Sequence, residues 1–185
     1  DDAGIRHSML SEIVEIDEPR WQPAVEAILA GYRHVVLLDD PRDRERAWSL
    51  GEQHRYKHFV VADRAPAGKA TPGSLLEVVS FSAAPPDWLL RNLDRIRRVE
   101  DVADGAKVSR DQDWITPQGY FRERRGGRHL GVDDMYFGAG ARERQLRDGE
   151  AKLRDIEARL RDIASERKDA LTRASDAEAV LRGAS

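Results

Sequence analysis

The chain has 185 residues, a formal net charge of -3 and no cysteine. That length carries one or two cores without metals or disulfides, and the missing thiols exclude a disulfide scaffold, thiolate catalysis and any Cys-based zinc site. With this slightly acidic balance the chain as a whole is not a nucleic-acid-binding tail, and no apolar run approaches the roughly 20 residues of a membrane helix.

The opening DDAG carries neither an initiator methionine nor a signal peptide, which fits a piece of a longer chain, with residues 1–9 the remnant of a preceding arm. Ser11–Ile16 (SEIVEI) alternates as a strand does. Pro19 then opens a helix that runs to Tyr32 and places Trp21, Val25, Ile28 and Leu29 on one face. His34–Asp40 (HVVLLDD) is a branched apolar run, the form of a buried strand. A second helix follows over Pro41–Arg55, weakened by Gly51, and His58–Asp63 reads as another buried strand. Arg64–Ser74 holds two prolines and two glycines and interrupts regular structure.

The pattern then partly repeats. Ser74–Ser82 (SLLEVVSFS) is strand-like, and Pro85–Ile96 starts with prolines and sets Trp88, Leu89 and Leu93 on one helical side. Arg97–Asp104 is a weaker strand candidate, and Asp113–Glu123 gives two short strands around Pro117-Gln118-Gly119. Residues 11–29 and 74–93 thus read as two copies of one plan: strand, proline-bearing turn, tryptophan-led helix. A chance likeness of two strand-helix units is the alternative. The expected fold is α/β (or α+β) with two lobes, 10–65 and 75–138, joined by a linker at 66–74.

From residue 139 the composition changes. Leu146, Leu153 and Leu160 recur at sevens, Ile156, Ile163, Ala170 and Ala177 form the second register, and Ala174 and Leu181 resume the first after Arg167. That is an a/d seam of about five heptads, expected over 139–185 as a coiled-coil arm, in which residues 141–185 would span roughly 67 Å. A single helix lying along one domain is the plainer reading. A coiled coil needs a partner: a second chain in parallel, or an antiparallel helix upstream of Asp1.

The stretch GYFRERRGGRHLG (Gly119–Gly131) gathers Arg122, Arg124, Arg125, Arg128 and His129 around one paired glycine. Three readings stand: phosphate contact by guanidinium forks, positioning of a partner subunit, or a solvated turn. A strand here would project Arg122, Arg124 and Arg128 to one side. Arg91, Arg95, Arg97 and Arg98 form a second basic cluster, interleaved with Asp94. Gly126 and Gly127 suit close backbone approach or positive φ at a sheet edge, or an ordinary turn. The acidic pairs Asp39-Asp40, Asp111/Asp113 and Asp133-Asp134 lack a clustered metal-ligand set, so capping or solvent exposure explains them. His54 and His58 run from a helix end into a strand. No GxxxxGK[ST] phosphate loop is present.

The two lobes followed by a coiled coil resemble the hinge of structural-maintenance-of-chromosomes (SMC) proteins. LSEIVEIDEPRWQPAVEAILAGYRHVVLLDDPRDRERAW (10–48) looks like the first hinge lobe, and VSRDQDWITPQGYFRERRGGRHLG (108–131) looks like the hairpin and glycine segment closing the second. YFGAGARERQLRDGEAKL (136–153) is similar to the start of the returning arm, with a leaning toward MukB-like condensins and Wadjet JetC-like proteins. Standard hinges carry several paired glycines near the end of the second lobe, whereas this chain has Gly126-Gly127 with Gly131 nearby.

The resemblance implies a non-catalytic dimerisation module of an ATP-driven DNA-organising complex, cytoplasmic and nucleoid-associated. It implies a homodimer through the lobes with Gly126, Gly127 and Gly131 at the interface, and an antiparallel arm helix upstream. Weak, non-specific double-stranded DNA contact would fall to the two arginine clusters and His129. ATP and Mg would belong to head domains elsewhere in the parent ABC-type ATPase, with no cofactor, metal or membrane for this segment. The rival class is a ligand- or nucleotide-responsive α/β signalling domain on a dimerising coiled coil, supported by the end of the HVVLLDD strand.

Overall fold

The computed structural model describes residues 4–132 and 134–183. One strand-helix plan is used twice. In the first pass β1 (His7–Met9) leads through the short helix α1 (Leu10–Ile13) into β2 (Val14–Ile16). Pro19, with its fixed φ and no N–H to lose, starts a helical turn at Pro19–Trp21 that continues as α2 (Gln22–Leu29). The chain returns through β3 (Val36–Leu38), α3 (Arg44–Gln53) and β4 (Val60–Val61).

In the second pass Ser74 stands where β1 stood, and the turn Leu75–Val78 leads into β5 (Val79–Phe81) and α4 (Asp87–Asp94). β6 (Arg97–Arg98), α5 (Val102–Gly105) and β7 (Trp114–Ile115) complete the copy. The pairings match step for step. β1 is antiparallel to β3 and β3 parallel to β4, as Ser74 bridges Arg97 antiparallel and β6 lies parallel to β7. The equivalent strands β2 and β5 pair with each other antiparallel, Glu15 opposite Ser80, as two copies related by a two-fold would. Only the second copy goes on to β8 (Tyr120–Glu123) and β9 (Gly126–His129), which extend its sheet to β6-β7-β8-β9.

Both copies feed one core. Leu10, Val14, Val25, Leu29 and Leu37 from the first pack in one cluster with Leu75, Val79, Leu89, Leu93 and Ile115 from the second. A small satellite of Leu38, Ala47 and Ala62 lies under α3. The connection between the copies is tied at both ends. Arg64 Nε donates to Ala84 O (2.6 Å), and Asp94 accepts from Thr71 N (2.7 Å), Thr71 Oγ1 (2.8 Å) and Ser74 Oγ (3.0 Å).

Four expectations need correction. Residues 10–13 and 75–78 are helical rather than extended, because Leu10 and Ile13, like Leu75 and Val78, bury at a spacing of three, which a helical turn places on one side. Met9 N also donates to the Glu12 side chain (2.8 Å), closing the first of these turns. Residues 7–9 are a strand of the first sheet, not the remnant of an arm. Val102–Gly105 is a helix, started by Asp101 accepting from Asp104 N (2.8 Å).

α6 (Ala139–Gly183) crosses from the first compact unit, which ends at Arg142, into a second that begins at Glu143. In the second unit Leu146, Leu153, Ile156, Leu160 and Ile163 are exposed, as are Ala170, Ala174 and Ala177. Leu171 and Val180, outside the expected registers, are exposed as well. The side chain of Leu181 and all of Asp133 lie outside the described residues.

Candidate functional site

The paired glycines lie in β9 itself, while the tight turn of the hairpin is Arg124-Arg125. Each has a local cause. Gly126 adopts φ 133°, a conformation that side chains disfavour, and a Cβ on Gly127 would sit 2.6 Å from the Tyr120 hydroxyl oxygen across the ladder. Gly131 meets nothing within 4 Å that demands its bare Cα.

β9 is the last strand of its sheet. Leu130 N donates to Gly119 O (2.9 Å), which makes 119/130 a hydrogen-bonded pair. By alternation 121/128 and 123/126 are bonded too, so the backbone N–H and C=O of Gly127 and His129 face away from β8. These are the groups a further strand would use.

The other copy has a matching edge. Val36 N donates to Phe59 O (2.9 Å), and the parallel register Val36↔Val60 then turns both backbone groups of Val60 outward from β3. In the second copy the same position is Trp114, and its outward groups are covered by β8, where Trp114 faces Arg122. Among the described residues no strand covers Val60 in the first copy. Its carbonyl accepts from Trp48 Nε1 (2.9 Å) on α3, and Trp48, Tyr56 and Phe59 stand 52%, 40% and 64% exposed beside it. Sequence reasoning passed over Trp48. The signal was a bulky aromatic on a helix whose only buried residue is Ala47.

The hairpin does not gather its arginines on one face. The register sets Arg122 opposite Gly127 and Arg128 opposite Phe121, so Arg122 and Arg128 point to opposite faces, contrary to the expected single side. Arg122 Nη1 donates to Arg110 O (2.6 Å) and Gln112 O (3.2 Å), and Arg125 pairs with Glu123 (2.5 Å). Arg124, Arg128 and His129 are exposed. In the second cluster Arg91 pairs with Asp87 (2.8 Å) and Arg95 with Asp113 (3.4 Å), while Arg97 Nη1 donates to Pro72 O (3.3 Å). Arg98 is internal: it pairs with Glu77, donates to Ser74 O (2.9 Å) and stacks 5.2 Å from the Trp21 ring centroid.

Glu26 is a buried carboxylate that the sequence did not single out. It accepts from the backbone N–H of Tyr136 (2.9 Å) and Phe137 (2.8 Å) and from Gln22 Nε2 (2.9 Å), fixing the segment that leads into α6. Arg142 adds an ion pair to Glu15 and donates to Ser11 O (3.0 Å). The start of α6 is therefore anchored on β2, α1 and α2 of the first copy, although it follows the second in sequence.

The remaining candidates are occupied locally. Asp40 caps the turn at Pro41 and binds Arg42, whose side-chain hydrogen bonds hold its carboxyl down at about 2. Asp39, at the strand end that supported a ligand site, pairs with Arg64 (3.6 Å) and lines a cavity of about 550 Å³ with Arg6, Met9 and Glu12. His58 packs against His34 (ring centroids 5.0 Å apart) and Tyr56 (5.5 Å), whereas His54 lines a cavity of about 230 Å³ under α3 with Leu38, Leu50 and Val60. Burial, with help from Arg33 and His58, keeps His34 below its usual range. Among the described residues no three His, Asp or Glu side chains converge as a metal site, and no helix is long and apolar enough to cross a membrane.

Two repeated lobes on a shared core, followed by a heptad helix, give this chain the fold seen in solved SMC hinge domains. No protein-family model and no curated protein matches the sequence. Among solved structures, the Pyrococcus furiosus Smc hinge domain with an extended coiled coil aligns with TM-score 0.53 and 16% identity, over 88% of this chain and 65% of that one. The asymmetric dimer of the Geobacillus stearothermophilus SMC hinge domain aligns with TM-score 0.54 and 16% identity, over 83% of this chain and 69% of that one. At these identities the likeness is one of fold.

Proposed function

We propose that this chain is a hinge module that joins two copies through their lobes. The observation that carries the reading is the pair of open edges. β9 offers outward backbone groups at Gly127 and His129, and β4 offers them at Val60, on opposite halves of the same protomer. Two copies related by a two-fold satisfy both edges at once, β9 of each beside β4 of the other, in a closed pair. The hinge domain of similar fold solved as an asymmetric dimer supports the joining of two copies, not their two-fold symmetry. Its test is His129→Pro, which removes an outward N–H without touching a bond to β8. The dimer should dissociate at least about tenfold more readily in sedimentation equilibrium, each strand bond contributing about 1 kcal/mol at two seams. Unchanged affinity with native circular dichroism would remove β9 from the interface.

The wider role follows the same reading. The exposed heptads of α6 await an antiparallel helix from upstream in a longer protein, whose separate head domains would bind ATP and Mg. Crosslinks between two parallel copies of α6 would contradict that topology. Duplex DNA contact, weak and indifferent to sequence, falls first to Arg124, Arg128 and His129, which are exposed, and more weakly to Arg91, Arg95 and Arg97. Changing Arg124 and Arg128 to glutamine should lower the salt-dependence slope of duplex binding by about two.

A further inference from the structure

We infer that Trp48 is a latch on the receiving edge, occupying the carbonyl of Val60 until a strand from a second copy displaces it. The inference rests on the dimer reading above and adds its receiving residue and its control.

The internal repeat carries the argument. Val60 and Trp114 hold the same place in the two copies, each on the third strand, parallel to the second, with both backbone groups turned outward. At Trp114 those groups meet an antiparallel strand, β8, in register with Arg122. The fold therefore accepts an antiparallel strand at this place and shows the geometry it takes. At Val60 the place is taken by one side chain. Trp48 Nε1 donates to Val60 O at 2.9 Å, from a ring that is 52% exposed and so is not held there by burial in the core. Arg44 lies 5.7 Å from the same ring's centroid while pairing with Asp63 (2.6 Å). A half-exposed indole with one hydrogen bond satisfies an otherwise open edge, and it leaves at little cost when a better partner arrives.

The occupant is a second copy because this chain carries the complementary strand itself. β9 ends its sheet with outward groups at Gly127 and His129, and Gly127 lies across the ladder from Arg122, the residue that covers Trp114. Strand addition would give the Val60 carbonyl a backbone donor and free the indole. The exposed rings of Phe59 and Tyr56 flank this edge and add apolar area for the incoming hairpin.

The test uses the full chain. Trp48→Phe keeps a ring on α3 and removes the donor. Sedimentation equilibrium should show the variant dimerising about fivefold more tightly per seam, since the competing hydrogen bond is gone. In the unaltered protein, amide exchange at Val60 should be fast at dilution and slow at dimer-forming concentration. If the unaltered chain dimerises but Trp48→Phe leaves the affinity unchanged or weakens it, or Val60 stays unprotected in the dimer, the latch is overturned while the dimer stands. If both forms remain monomers at every concentration, the dimer reading fails and takes the latch with it.

Discussion

The two copies of the strand-helix plan differ most at the outer edge of their third strand. In the second copy β7 is covered by the hairpin of β8 and β9, so its sheet continues and its open edge moves to β9. In the first copy β4 is two residues long, ends the sheet, and carries Trp48 on its outward carbonyl. The same topology thus leaves an open strand edge in each half, β9 in one and β4 in the other. In the proposed dimer these two edges would meet, β9 of one copy beside β4 of the other.

The strongest way to break the comparison is to treat the halves as independent. Because Leu89 and Leu37 share one cluster, Leu89→Ala should cost about 2–5 kcal/mol and shift a single unfolding transition of residues in both halves. Two separate transitions in urea, with the first copy's signals unmoved, would show that each half folds alone.

A matched pair of substitutions sharpens the contrast between α3 and α5. A Cβ at Gly105 would lie 2.6 Å from the Trp114 ring, so Gly105→Ala should destabilise by about 1–3 kcal/mol. At Gly51 the nearest atom is Tyr56 Cβ at 4.0 Å, so Gly51→Ala should stabilise by up to about 1 kcal/mol through helix propensity. Equal effects in chemical denaturation would show that the two helices pack alike.

Acid should act on both halves with the same sign. Burial raises the Asp94 carboxyl, but the hydrogen bonds from Thr71 and Ser74 outweigh it and leave Asp94 below the ordinary value of 3.8. Asp40, bound by the Arg42 side chain, lies at about 2. Each folded pKa is below its unfolded one, so the contribution is present at neutral pH and is lost as pH falls from about 4 through the folded value. The urea midpoint should fall over that window, and Asp94→Asn should flatten part of the slope. A midpoint independent of pH there would contradict both carboxylate assignments. The smallest effect is expected from Arg124→Gln with Arg128→Gln, within about 0.5 kcal/mol in stability, because both are exposed.

Much of this was legible in the sequence, for reasons that can be named. HVVLLDD and the proline-led helices at Pro19 and Pro85 carry strong local signals, and the shared tryptophan-led plan exposed the repeat. Residues 10–13 and 75–78 misled because short apolar runs fit both a strand and a single buried helical turn. The arginine hairpin misled because facing is decided by cross-strand register, which spacing along one strand does not reveal. Gly127 drew attention as an interface residue, yet its closest constraint is Tyr120, seven residues back and across the ladder. Trp48 and Glu26 act through Val60 and Phe137, partners that only the folded chain brings near.

The central claim is that the lobes, not the heptads, join two copies, and the solution mass of a chain ended at Gln145 tests it most directly. That chain retains the first compact unit and the Glu15–Arg142 anchor while losing the exposed stripe from Leu146 onward. Light scattering across a dilution series should give a dimer that His129→Pro converts toward monomer. A folded monomer at every concentration, with a dimer recovered only when α6 is restored, would contradict the account.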